Sequence, residues 1–403
     1  MRRTLSCLWI ALSLIMLAGC WDRNELNELA ITSATALDVD KGKWIMSYQV
    51  IIPSAISKAI GGSAGPSAQV PVVVYSTSGS TIKDAVANSY LEAPRKLYFA
   101  HNSIIVIGEA AARKGFGQLI DLYLRNPDSR ETVSVLVASG DARSILEQLL
   151  NMDIIPGQGV QKIMEEEYQN LSWLPNTKMY DITMQMLGPS RCGLLPEIII
   201  SGGKEITGVD QLQKTTMTSK LRLGRAGIIK DEKLIGWLNQ EEQLGAAFLS
   251  NNVNLTSIPF TSDGDPNSGY DSNFQLRKSN TSIEIKWADG KYELTAKIKA
   301  RGHLNETNGS LNLIKPDVVK TMEKSIATEI EKDANKAWNA ILKADADVVG
   351  FSDVIMRKYP KQWKALQEEN ESVLKKIKLT VKATATLDTV GLSNKSFNKL
   401  KED

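Results

Sequence analysis

Alternation and short apolar runs dominate the first half of the chain. Residues 31–39 and 43–52 are rich in β-formers, and Asp40-Lys41-Gly42 between them supplies a turn, so the spacing predicts a hairpin. Val70–Thr77 reads as a strand, Ser80–Tyr90 as a helix, and Leu97–Gly108 as a buried strand around Ile104-Ile105-Val106-Ile107. Glu109–Arg125 is expected to be helical, Thr132–Ser139 a strand and Ala142–Leu150 a helix, with Ser80 and Ser139–Asp141 at N-cap positions. Strand and helix in turn predict an α/β layer with right-handed crossovers. Less regular helices near 160–169 and 178–187 then lead to a strand at 195–201.

The second half has a different pattern. Ala226–Ile229 and Leu234–Leu238, joined by Lys230-Asp231-Glu232-Lys233, predict a hairpin, and Gln240–Leu249 a short helix. Ile283, Ile285 and Trp287 alternate up to Asp289-Gly290, and Tyr292, Leu294, Ala296, Ile298 and Ala300 alternate on the return. Pro316 opens a helix to about Lys343 with Val319, Met322, Ile326, Ile330, Ala337 and Ile341 on one face. The odd positions Val373 to Leu387 form a last alternating strand whose apolar face only Lys375 interrupts. The expected fold class is therefore mixed: an N-terminal α/β part (20–201, with a possible subdivision near 151–160) and a C-terminal α+β domain (223–403). The latter is an antiparallel sheet covered by a long helix. The Gly-, Thr- and Lys-rich stretch 202–222 is expected to be the linker.

The N-terminus changes the charge count and the compartment. Arg2 and Arg3 precede a largely apolar run from Leu5 to Leu17, which is shorter than the roughly 20 residues that span a bilayer. Leu17-Ala18-Gly19-Cys20 follows, the bacterial lipobox, predicting cleavage between Gly19 and Cys20 and a diacylglyceryl group with N-acylation (palmitate) on Cys20. Two or three acyl chains anchor stably where one binds only marginally. The expected location is the extracytoplasmic side of the cell membrane.

The 403 residues carry 48 Lys and Arg against 46 Asp and Glu. Without Arg2 and Arg3 the two signs balance. A neutral chain without a basic stripe is a poor partner for nucleic acid. The densest basic run, Lys375-Lys376-Ile377-Lys378, reads as a solvated strand face. A mean hydropathy of −0.19 does not suit a multi-span membrane protein.

Candidate chemistry is sparse. Cys7 leaves with the signal and Cys20 takes the lipid, so Cys192 is left without a disulfide partner. His101 and His303 fall in different predicted domains and outside any zinc motif. Gly61–Pro66 lacks the Gly-Lys-Ser/Thr ending that cradles phosphate. Glu165-Glu166-Glu167 and Glu241-Glu242 lie on predicted helices, where adjacent residues diverge, and Asp345-Ala346-Asp347 is too short for a calcium loop. Trp237, Trp287, Trp338 and Trp363 are expected in the core. Nothing in the pattern assembles catalysis, a metal site or a cofactor site. A solute-binding lipoprotein of an importer is the alternative class, and would need two α/β lobes about a hinge.

Several segments carry a resemblance. They are Leu17-Ala18-Gly19-Cys20-Trp21-Asp22-Arg23-Asn24-Glu25-Leu26; His101-Asn102-Ser103 running into Ile104–Glu109; Leu122-Tyr123-Leu124-Arg125-Asn126-Pro127; Gly227–Leu238; and Gly350-Phe351 through Tyr359-Pro360 to Trp363. In this order the chain resembles the Ger(x)C lipoproteins, the C subunits of nutrient germinant receptors in endospore-forming bacteria. The resemblance implies a multidomain mixed α/β lipoprotein on the outer face of the spore inner membrane. It also implies assembly with a membrane-spanning A subunit and a transporter-like B subunit, and a role in germination through contact. The family brings no catalytic residues, so only Cys20 carries over, as the lipid site.

Overall fold

The computed structural model describes residues 28–60, 69–265, 268–368, 372–391, 393 and 395–402. Cys20 and the signal segment lie outside the described residues. Leu29–Asp40 (β1) is buried on both faces, as a central strand must be, and turns through Lys41 and Gly42 into Lys43–Ile51 (β2). Both turn residues have positive φ (45° and 83°), the conformation that matches hairpin twist. Val72–Gly79 (β3) pairs antiparallel with β2. Lys96–Tyr98 (β4) and Ile104–Gly108 (β5) run parallel to successive parts of β1, and Ser134–Ala138 (β6) runs parallel to β5. The unbroken apolar runs of β5 and β6 fit strands covered on both faces.

Cys192–Gly202 (β7) continues the parallel set, and Ser219–Lys230 (β8) and Lys233–Leu238 (β9) add antiparallel strands. The order is β3-β2-β1-β5-β6-β7-β8-β9, with β4 beside β1.

Pro53–Ile60 forms a short helix (α1), and 61–68 lie outside the described residues. Four helices line one face of the sheet: Ile82–Glu92 (α2), Glu109–Lys114 (α3), Gly117–Arg125 (α4) and, later in the chain, Met179–Leu187, counted below as α7. Ala142–Glu147 (α5) and Pro156–Asn170 (α6) cover the opposite face. Ile105, Ile107, Val135 and Val137 point to the first layer, and Ile104, Val106, Leu136 and Ala138 to the second. The helix expected across 109–125 is broken. Gly115 takes φ 112° and Phe116 turns fully into the core, so α3 and α4 pack as separate pieces.

The second layer system is a sheet ordered β10-β11-β12-β13, from Thr256–Phe260 (β10), Ser272–Ala288 (β11), Lys291–Thr307 (β12) and Ile377–Thr389 (β13). Asp289 and Gly290 turn the long hairpin with positive φ. Gln240–Leu249 (α8) and Pro316–Ala344 (α9) pack together, and α9 buries Met322, Ile326, Ile330, Ala334, Ala337, Trp338 and Ile341. Phe351–Lys358 (α10) and Pro360–Glu368 (α11) complete the layer.

The structure corrects two details here. The sheet is not wholly antiparallel: β13 lies parallel to β12, because the chain crosses over through α9, α10 and α11 before pairing. Lys375 and Lys376 belong to a 3-10 turn at Val373–Lys376, so the strand begins at Ile377.

The stretch between Gly202 and Ser219 is an excursion within one sheet, and Ser219–Arg222 already belong to β8. β7 and β8 pair from Cys192↔Lys230 to Gly202↔Ser219, Val209–Leu212 form a helical turn, and Ile206 is buried. Its polar, Gly-rich composition gives it the look of a spacer, yet the hairpin that opens the C-terminal half completes the N-terminal sheet.

Candidate functional site

Three polar constructions hold the segments singled out in the sequence. The first lies under the start of β5. Asn102 is buried, and its side-chain amide donates to Thr35 Oγ1 at 3.0 Å and to the Tyr123 hydroxyl at 3.1 Å. It thereby ties the turn before β5 to β1 and to α4. Burial pushes the Tyr123 phenol up to about 12, although its bonds to Asn102 and Thr35 pull the other way. Asn102 Oδ1 has no hydrogen-bond partner among the described residues. Its neighbour His101 is exposed and packs its ring 5.8 Å from Tyr98.

The second construction joins β8 of the large sheet to the C-terminal end of α9. Lys230 Nζ donates to the Asp345 carbonyl and, at 3.0 Å, to Asp345 Oδ2; Ser372 Oγ donates to Oδ1. Burial raises the Asp345 carboxyl, but Ser372 and Lys230 outweigh it and hold it below the usual carboxylate range. Asp347 accepts from the backbone N–H groups of Gly350, Phe351 and Ser352, capping α10. Clefts of about 440 and 460 Å³ flank this junction. Cys192 borders both, and burial together with the Asp347 charge pushes its thiol up to about 12, away from thiolate reactivity.

The third is a buried acid at the end of β1. Asp38 accepts from Ala142 N at 2.9 Å and Arg143 N at 3.1 Å, at the start of α5. Burial, with Asp141 nearby, raises its carboxyl to about 7. Gly108 leaves it room: a Cβ there would come within 2.0 Å of Asp38 Oδ1. Three strands along the sheet, Glu197 is buried in β7 and receives Arg225 from β8. Nothing in the pattern of single residues marks Asp38 or Glu197; each is a polar residue set in an apolar strand, and that is the signal available, whereas Asn102 lies in the segment His101–Glu109 that carries the resemblance.

A cleft of about 640 Å³ lies between α2 and α4, lined by Ile82, Leu122 and Pro127 with Lys83, Asp121 and Arg125. The same helical layer exposes Tyr90, Leu91, Leu124, Tyr180, Met184 and Leu187.

The other expected positions are spread out. His101 lies in the turn before β5 and His303 on β12, so they stand in different halves of the fold. Glu165 and Glu166 lie on α6, while Glu167 turns back to accept from Trp173 N and Leu174 N. Glu241 pairs with Lys336 and Glu242 caps α8. Trp338 and Trp363 are buried, but Trp287 is exposed, its ring 4.5 Å from Tyr292. Among the described residues no cluster of His, Cys, Asp and Glu could hold a metal ion, and no helix is long and apolar enough to cross a membrane.

Two family models match in chain order. Residues 22–200 match the spore germination protein N-terminal domain, and 224–391 match the spore germination B3/GerAC-like C-terminal region. The chain belongs to the GerAC family of spore germination proteins. Spore germination protein KC of Bacillus subtilis (strain 168) is 28% identical over 411 residues, covering 100% of both chains. Spore germination protein A3 of the same organism is 23% identical over 92% of each chain.

A crystal structure of the GerBC protein superposes with a TM-score of 0.56 at 16% identity, covering 88% of this chain and 96% of that one, and shares the fold. The GerAC-family segments quoted from the sequence meet in pairs. Asn102 bonds Tyr123, and Lys230 reaches the loop that leads through Asp347 to Gly350 and Phe351.

Proposed function

We propose that this protein is the lipid-anchored, non-catalytic C subunit of a spore nutrient germinant receptor, acting by contact with its partners. Cys20 carries the acyl chains after cleavage behind Gly19, and the folded part lies on the extracytoplasmic side of the spore inner membrane. A membrane-spanning A subunit and a transporter-like B subunit complete the assembly. The observation that carries this reading is the succession of the two GerAC-family regions over 22–200 and 224–391, directly behind a lipobox.

The internal architecture supports a role in contact. The polar groups described above are spent on joining elements: Asn102 to α4, Asp38 to α5, Lys230 to the end of α9. The surface, by contrast, keeps large apolar side chains on one helical layer.

Deleting the gene, with redundant paralogues removed, should abolish the response of spores to one set of nutrients. A trigger that bypasses nutrient receptors should still work. Intact nutrient responses in that background, or equal loss of the bypass route, would overturn the reading. Cys20→Ala should block acylation and the lipoprotein-specific cleavage and take the protein out of stable membrane association, and a variant that stays with membranes through carbonate washing with its signal removed would contradict the anchor.

A further inference from the structure

We infer that the end of the large sheet at which β1 starts is seated on the lipid bilayer, through Tyr90, Leu91, Arg95 and Lys96. This rests on reading Cys20 as the lipid site. The first described residue is Glu28, and Leu29 opens β1 in direct register with Lys96 of β4. From Cys20 to Leu29 the chain spans nine residues, at most about 30 Å when extended. This end therefore cannot stand far from the acyl chains.

The same end carries apolar surface with no use inside the fold. Helix α2 turns Ile82, Ala85 and Ser89 inward, and its last turn leaves Tyr90 67% and Leu91 83% exposed. The helix stops at Glu92, since Pro94 disfavours a helical residue before it, and Arg95 and Lys96 emerge exposed a few positions on. A tyrosine and a leucine beside two cations match the headgroup region, where the aromatic ring straddles the boundary and the cations meet anionic lipid. A protein partner would have to enter the gap that the short tether leaves. The C-terminal layer packs on β7, β8 and β9 through Cys192, Ala226, Ile228 and Leu238, and β5 and β6 lie between these strands and β1, so it stays clear of this contact.

The test uses the full acylated chain in vesicles of phosphatidylethanolamine and phosphatidylglycerol, with and without brominated acyl chains. A fluorescent thiol label is placed at Leu91→Cys, or at Ile314→Cys, which is 63% exposed before α9 in the C-terminal half. Cys192 is buried and stays unlabelled. Brominated lipid should quench the label at 91 severalfold more than at 314. Equal quenching at the two sites, or protection at 91 only when a membrane-spanning protein partner is reconstituted, would overturn the seating. The mass of the N-terminal peptide is read in parallel. An unacylated Cys20 defeats the anchor reading and this one with it, whereas an acylated Cys20 with an unquenched label at 91 defeats this one alone.

Discussion

Arg225 grips Glu197 with two nitrogens, Nη2 to Oε1 at 2.7 Å and Nε to Oε2 at 3.1 Å, across the β7–β8 pairing. Its backbone N–H donates to the same carboxylate at 2.8 Å. Glu197 belongs to the N-terminal family region and Arg225 to the C-terminal one, so a bidentate ion pair bridges two regions that sequence comparison treats as separate. Burial would raise the Glu197 carboxyl, but Arg225 outweighs it and keeps it below its ordinary value.

Removing Arg225 should therefore strand a buried charge. Arg225→Met is expected to cost about 2–3 kcal/mol near pH 7.5, less than a fully enclosed pair because the guanidinium is half-exposed. A carboxyl depressed in the folded state stabilises above its unfolded value and loses that contribution as pH falls. The deficit should then shrink towards pH 4, and urea unfolding at both pH values measures it. A pH-independent deficit would assign the loss to packing against Trp237, whose ring lies 4.6 Å from the guanidinium.

Proteolysis should cut the excursion between Gly202 and Ser219 before other places, since several of its side chains stand exposed. The two fragments are expected to stay together through β7–β8 pairing and the Glu197–Arg225 contact. Size-exclusion chromatography after limited digestion reads this, and fragments that separate without denaturant would show two independent units.

Asp38 predicts the opposite pH trend. Its folded carboxyl titrates near 7, well above its ordinary value of 3.8, so the folded chain holds a proton that the unfolded chain has lost in between. Its contribution is complete below about 4 and is lost as pH rises to about 7, at most about 4 kcal/mol. Asp38→Asn should flatten that slope and be at least as stable as the parent at pH 7.5. A variant clearly weaker at pH 7.5 would mean that the ionised cap on α5 matters more than its burial.

Close packing of α8 on α9 rests on a missing side chain. A Cβ on Gly245 would lie 2.0 Å from the Asp333 carbonyl oxygen, so the helices must part to admit it. Gly245→Ala is expected to cost about 3 kcal/mol despite alanine's better helix propensity. Thermal unfolding checks the sign, and a stabilised variant would contradict the spacing.

Much of the architecture was legible where periodicity is strong: the Asp289-Gly290 hairpin, the face of α9 and the apolar run Ile104–Ile107 each appear as the pattern implies, although the strand expected over Leu97–Gly108 is split into β4 and β5 by a turn. What pattern missed depends on partners distant in sequence. The parallel placement of β13 is fixed by the crossover and not by its own alternation. Gly115 and Phe116 read as helix until the core claims Phe116. Asn102 and Tyr123 lie in segments quoted for the resemblance, yet the bond between them is a tertiary fact. Lys230 and Asp345 are 115 positions apart, and no local rule pairs them.

The most direct measurement is purification of the tagged full-length protein from spore inner membranes in mild detergent, with its companions identified and quantified by mass spectrometry. The account predicts recovery in the membrane fraction with an acylated Cys20 and with two companions in fixed proportion, one membrane-spanning A subunit and one transporter-like B subunit. Recovery alone, or in the soluble fraction with an unmodified Cys20, would contradict it.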